Sequence, residues 1–193
     1  DTIRLEAHET YQKQTYRNRC YILASQQVDR LTVPVIKGNS QVPYRVLKLD
    51  NHQAWASLHW RAICAAYSKA PFFTYLADYF HAVLFQRHVY LFDLNLKLLQ
   101  TCLQLLQLDK KVELSTQYEK APTGPVIDAR ATILPVNRLA HSNGYQSTRY
   151  QQVFGTLFHP NLSIIDLLFC KGHEACTVLQ ASAIRGDCLI GED

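Results

Sequence analysis

Apolar and polar residues alternate from Thr2 to Ala7, where Ile3 and Leu5 stand between polar neighbours. A two-residue period puts both on one face, so this segment is predicted to be a strand with one buried side. Cys20 to Leu23 is short and apolar, Leu31 to Ile36 is rich in β-formers, and Arg45 to Leu49 alternates again. Pro34 has no amide to give a ladder, which puts its strand at an edge or interrupts it there. The GNSQVP that follows, Gly38 to Pro43, has the composition of a turn.

The period changes at Asn51. Trp55, Leu58, His59, Ala62, Ile63, Ala66 and Tyr67 recur at three- and four-residue steps, which predicts a helix capped by Asn51 and ending near Ser68. Pro71 suits the first turn of a second helix, whose stripe of Tyr75, Leu76, Tyr79, Phe80, Val83 and Leu84 is expected to pack in the core. Leu91 to Leu108 reads as a third helix with leucines on more than one face, hence one buried between neighbours. Val112 to Thr116 reads as a strand. Turn formers then dominate from Lys120 to Ser147, a long loop of the kind that often carries function. NLSIIDLLFCKG has its own signals: Asn161 or Ser163 as N-cap, Asp166 three positions after Ser163, and Gly172 as the break. The pattern predicts one α/β domain over residues 1–193, with a mixed sheet of early strands covered by the helices of Asn51 to Leu108.

Composition narrows the class. A chain of 193 residues with 48% hydrophobic and 19% charged residues can bury a core without disulfides or a structural metal. The net charge of +4, from 20 basic and 16 acidic residues, is dispersed without long basic runs. That favours a small anionic ligand over a nucleic-acid duplex. Cys20, Cys64, Cys102, Cys170, Cys176 and Cys188 form neither a CxxC pair nor a dense framework, so six reduced thiols and a cytoplasmic location are expected. No apolar run reaches the length of a membrane span. The chain contains no methionine and opens on a strand-like segment, so a preceding N-terminal segment is expected.

The candidate chemistry sits in YQKQTYRNRC, Tyr11 to Cys20. Lys13, Arg17 and Arg19 bring charged donors with no acid inside the decapeptide, and Gln12, Gln14 and Asn18 add amides. These groups suit a carboxylate, a phosphate or a sugar hydroxyl. An extended, solvated strand edge would carry the same residues, so both readings stand. His59 projects from the apolar stripe of its helix, either as a satisfied core histidine or as a general base. In CKGHEAC, Cys170, His173 and Cys176 are three apart, but Gly172 breaks the helix between them and no fourth ligand is near, so no metal site is expected. No phosphate loop, nucleophile elbow, HExxH or dinucleotide fingerprint is present, and no cofactor is implied.

Four segments taken in order, YQKQTYRNRC, LTVPVIKGNSQ, WASLHWRAICAAYSKAPFF and YQQVFGTLFHPNLSIIDLLFCKG, resemble the WbqC-like proteins of bacteria. The resemblance covers most of Tyr11 to Gly172. Members commonly begin with a strand and an HQP-and-aromatic segment that this chain lacks. Similar proteins tend to carry asparagine and proline where this chain has Cys170 and His173. Genes of the family are often found in clusters for O-antigen and related surface polysaccharides, and the resemblance implies glycyl or other acyl transfer to a sugar. On that footing Lys13, Arg17 and Arg19 would neutralise the phosphate or carboxylate of a nucleotide sugar or aminoacyl donor, while Asn18 and His59 orient or deprotonate the acceptor. The alternative is a noncatalytic ligand-binding or scaffold protein of the same pathway, since no nucleophile with an adjacent base is legible.

Overall fold

The computed structural model describes residues 2–25, 27–36, 42–122, 124, 126–130 and 145–183. The alternating N-terminal segment forms β1 (Thr2–Leu5) and the short apolar stretch forms β2 (Arg19–Leu23). The next strand, β3 (Val28–Thr32), meets the expected Leu31 to Ile36 strand only at Leu31 and Thr32, because Pro34 interrupts the ladder and Val35 makes only an isolated bridge to Leu49. Three helices follow: α1 (Trp55–Tyr67), α2 (Phe73–Phe85) and α3 (Leu91–Leu105). Then come β4 (Lys111–Leu114), α4 (Ile164–Lys171) and α5 (Ala175–Ser182). The class is mixed α/β, as the periodicity predicts.

The strands pair as two two-stranded sheets. β1 runs parallel to β4, with Thr2 opposite Lys111 and Leu5 opposite Leu114, while β2 and β3 form an antiparallel hairpin. Pro34 falls just after β3, where a missing amide costs no ladder bond. Arg45 to Leu49 is not a strand: Tyr44–Val46 is a turn of 3-10 helix, and Lys48 and Leu49 make only isolated bridges, to Tyr90 and Val35.

The helices bury the stripes that their period marks, with shifts at the edges. On α1 the buried residues are Trp55, His59, Ile63, Ala66 and Tyr67. Asn51 does not cap this helix, which starts four residues later. Its side chain instead donates to the carbonyl of His88 at 2.8 Å and accepts from Trp55 Nε1 at 3.2 Å. On α2, Phe80, Val83 and Leu84 are buried, but Tyr75 and Tyr79 face solvent, because the helical turn sets them about 140° and about 100° round from Phe80, off the buried stripe. α3 packs against α2, α4 and the Tyr44–Val46 turn, which explains leucines on several faces. Phe169 of α4 joins them, its ring 5.1 to 5.5 Å from those of Phe73, Tyr67 and Phe80.

Ser163 occupies the N-cap of α4 but makes no side-chain cap bond, and Asp166, in place of a capping partner, is fully buried. Gly172 ends α4 as predicted, with φ +53, and α5 is an addition to the predicted elements. Much of the expected Lys120 to Ser147 loop lies outside the described residues, as do Cys188 and most of GNSQVP.

Candidate functional site

The decapeptide Tyr11 to Cys20 is the link from β1 into β2, and it is folded rather than extended. The Thr15 hydroxyl donates to the Gln12 carbonyl at 2.9 Å, and Gln14 sits at φ +63, a left-handed conformation that a non-glycine residue adopts at a cost. Asn18 Nδ2 donates to the Val33 carbonyl at 3.1 Å, and Val33 N–H returns a bond to the Asn18 carbonyl at 2.9 Å. Asn95 of α3 ties the segment down from the other side, its Nδ2 donating at 2.6 Å to the carbonyl of Arg17 and at 2.6 Å to the Tyr44 hydroxyl.

Of the five residues singled out in the sequence, Arg17, Asn18, Arg19 and His59 line a single cavity of about 280 Å³. The fifth, Lys13, is exposed and lies outside its wall. The strand β2 brings Arg19, the link before it brings Arg17 and Asn18, and α1 brings His59 across from β3.

These four differ in what they have left to offer. Arg17 is held in a two-pronged ion pair: Nε and Nη2 donate to the two oxygens of Glu9 at 2.7 and 2.6 Å, with both side chains 13% exposed. Its charge is therefore matched by an acid just outside the decapeptide. Arg19 has no ion-pair partner among the described residues, and its buried Nε has no hydrogen-bond partner among them. Asn18 is 9% exposed, and its Oδ1 is likewise buried and unpartnered among them. A buried polar atom left unpaired costs about 1 to 3 kcal/mol, so such atoms call for an explanation.

His59 is neutral by construction. Burial pushes its imidazolium below the ordinary range, against a smaller opposing effect of the Thr32 carbonyl 3.2 Å from Nε2. A carbonyl only accepts, so Nε2 carries the proton and Nδ1 keeps a lone pair. The two cavity thiols are not activated: burial lifts Cys20 to about 11 and Cys102 to about 12. Both are protonated near neutral pH and are poor nucleophiles.

Apart from Tyr16, Asn95 and Ser163, the remainder of the wall is apolar, from β3, α1, α2, α3 and α4 and from Val33 beside them. A second, larger space of about 1190 Å³ adjoins it, the two sharing Tyr16, Arg17, Asn95 and Leu99. This cleft runs along the parallel pair, lined by Thr2–Leu5 of β1 and Glu113 of β4 and by Glu6 and Ser115 just after them. It is polar: the Ser115 hydroxyl donates to Glu6 Oε1 at 2.8 Å and accepts from Ala7 N–H at 3.0 Å. Arg130 grips Asp128 at 2.6 Å and stands 3.7 Å from Glu6. The side-chain hydrogen bond from Arg130 holds Asp128 down at about 2.

Glu9, Asn95 and the Glu6–Ser115 pair were not singled out in the sequence. Asn95 had a visible signal, an amide four residues after Leu91 and three before Leu98 on a leucine-rich helix. Glu6 and Ser115 are 109 residues apart and had none. CKGHEAC is split among three elements, with Cys170 buried in α4, His173 edge-on to the Phe72 ring, and Cys176 in α5.

The model of the WbqC-like protein family matches residues 1–133 and 137–178. The chain belongs to the WbqC-like family. Among the similar proteins is the uncharacterized protein Rv1507c of Mycobacterium tuberculosis, 32% identical over 192 residues that cover 86% of this chain and 81% of that one. No solved structure matches this WbqC-like chain. Among its described residues, no helix is long and apolar enough to cross a membrane.

Proposed function

We propose that this WbqC-like protein binds an anionic, activated sugar or aminoacyl substrate at the cavity of Arg17, Asn18, Arg19 and His59, and transfers a group from it in the assembly of O-antigen, another surface polysaccharide or a related precursor. The observation that carries the reading is Arg19, whose guanidinium has no ion-pair partner among the described residues beside a cavity with no carboxylate in its described wall. A guanidinium in such a wall suits a phosphate or carboxylate through charge-assisted bonds. Lys13, exposed at the surface, could only steer a charged ligand toward the site.

Two adjoining cavities of unlike chemistry support transfer between a donor and an acceptor. The donor occupies the smaller one, and the acceptor the polar cleft beyond Tyr16 and Asn95. The acceptor's hydroxyl or amine reaches past Tyr16 and Asn95 into the smaller cavity and attacks the carbonyl carbon of an aminoacyl donor or the anomeric carbon of a sugar donor, its proton passing to Nδ1 of His59. The new bond to carbon forms as the donor's leaving group departs with its electron pair. Asn18 Oδ1 accepts from the acceptor and orients it. The polysaccharide setting rests on the family.

Purified protein incubated with nucleotide-sugar and aminoacyl donors and sugar acceptors, followed by mass spectrometry, tests this. A new conjugate, lost in His59→Ala, is the expected result. Binding that depends on Arg19 but gives no product would instead support the noncatalytic ligand-binding role, which the protonated Cys20 and Cys102 thiols favour.

A further inference from the structure

The wall of the smaller cavity narrows the kind of group a donor can place there. Apart from the polar side chains already named and Ser163, the wall is made of Leu31, Val33, Ile63, Leu94, Leu98 and neighbours like them from five elements. A sugar ring there would leave hydroxyls without partners, each at the cost of a desolvated polar group. A free α-amine would fare no better: no described residue lining the cavity carries a carboxylate, and Glu9, in the wall of the adjoining cleft, is taken up by Arg17. At roughly 30 Å³ for each water-sized group, 280 Å³ holds on the order of nine such groups.

We propose that the cavity holds an unsubstituted aliphatic acyl chain of medium length, with its carbonyl or carboxylate end at Arg19. This rests on the ligand site described above and narrows it, since it replaces a glycyl or other aminoacyl group with a plain hydrocarbon one. Burial of a hydrocarbon chain supplies binding energy in proportion to its length, until the chain outgrows the space. Arg19 then fixes the end of the chain, and Tyr16 and Asn95, which line both spaces, put that end next to the second cleft.

Calorimetric titration of the purified protein with butanoate, hexanoate, octanoate and tetradecanoate tests the chain. Affinity should rise about fourfold for each added methylene up to octanoate and fall at tetradecanoate. A matched probe, 2-aminooctanoate, should bind at least about tenfold more weakly than octanoate, because it buries an unpaired ammonium. Leu98→Trp, which narrows the cavity, should flatten the gain with length. Arg19→Gln should weaken every chain by a similar factor. Affinity that ignores chain length, or equal affinity for octanoate and its amino analogue, overturns the proposal. The length series uses the unaltered protein, so it stands even if Leu98→Trp does not fold. A uridine diphosphate sugar distinguishes the levels of failure. Arg19-dependent binding of that sugar without any response to chain length sinks the acyl pocket and leaves the anion site. No binding by the sugar or by any carboxylate overturns both.

Discussion

Two arginines two residues apart in one strand entry do different jobs, and substitution should separate them. Arg17 spends its fork on Glu9 in a nearly buried pair, so removing either partner strands a charge. Glu9→Gln should cost about 2 kcal/mol or more of unfolding free energy in a urea titration. Arg17→Lys should recover only part of the stability of Arg17→Ala, because an ammonium cannot make both planar bonds. Arg19 has no such partner among the described residues. Arg19→Ala should shift the urea midpoint little and weaken an anionic ligand about tenfold or more, a loss of one charged hydrogen bond. Equal effects of the two on stability would show that Arg19, too, is a structural residue.

At the scale of elements, the junction of α4 with the turn Gly172–Glu174 gives the sharpest test. Gly172 combines φ +53 with ψ −121, and an added Cβ would lie 2.3 Å from Phe72 Cδ1. The backbone of Phe72 is fixed by its N–H, which donates to the Phe169 carbonyl at 3.0 Å, and its ring stands against His173, so relief of the clash requires a change of rotamer. Gly172→Ala should therefore destabilise by about 2 kcal/mol or more, the sum of a strained backbone and an overpacked contact. A midpoint within error of the parent protein would refute this. The sequence made Gly172 legible as a stop, as it made α1, α2 and α3 legible, because period and punctuation are local properties. It could not reveal that β1 pairs with β4, since that ladder joins Thr2 to Lys111 across three helices. Nor could it reveal why Asp166 stands in an apolar run. The capping position explains the residue type, but what it meets is Tyr150, donating at 2.6 Å, and Gln152, donating at 3.1 Å, from the segment before α4.

Across the whole molecule, the candidate site is assembled from residues that only folding brings together, which sets how much of it could be read beforehand. Arg17, Asn18 and Arg19 were visible as a cluster and His59 as a lone polar residue on a stripe. That they share one wall depends on the hairpin β2–β3 lying over α1, a tertiary fact. The same folding buries two titratable groups whose effects on stability oppose each other. Burial lowers the His59 pKa below its usual 6.5, so the unfolded chain takes up a proton before the folded one does. The stability His59 contributes is complete above about pH 6.5 and is lost as pH falls through its folded value. Burial raises Asp166 above its usual 3.8, despite the bonds from Tyr150 and Gln152 that favour its charged form. Its contribution is complete below about pH 4 and is lost as pH rises through its folded value. Melting temperatures of the parent protein, His59→Gln and Asp166→Asn, taken from about pH 7.5 to about pH 4, should reveal both. Relative to His59→Gln the parent should lose stability as pH falls below about 6.5, and relative to Asp166→Asn it should gain stability over the more acidic part of the range. The parent and His59→Gln curves running parallel would mean that His59 titrates alike in the folded and unfolded chain. In that case its imidazole is solvated in the folded state, and the neutral base assigned to it in the cavity is wrong.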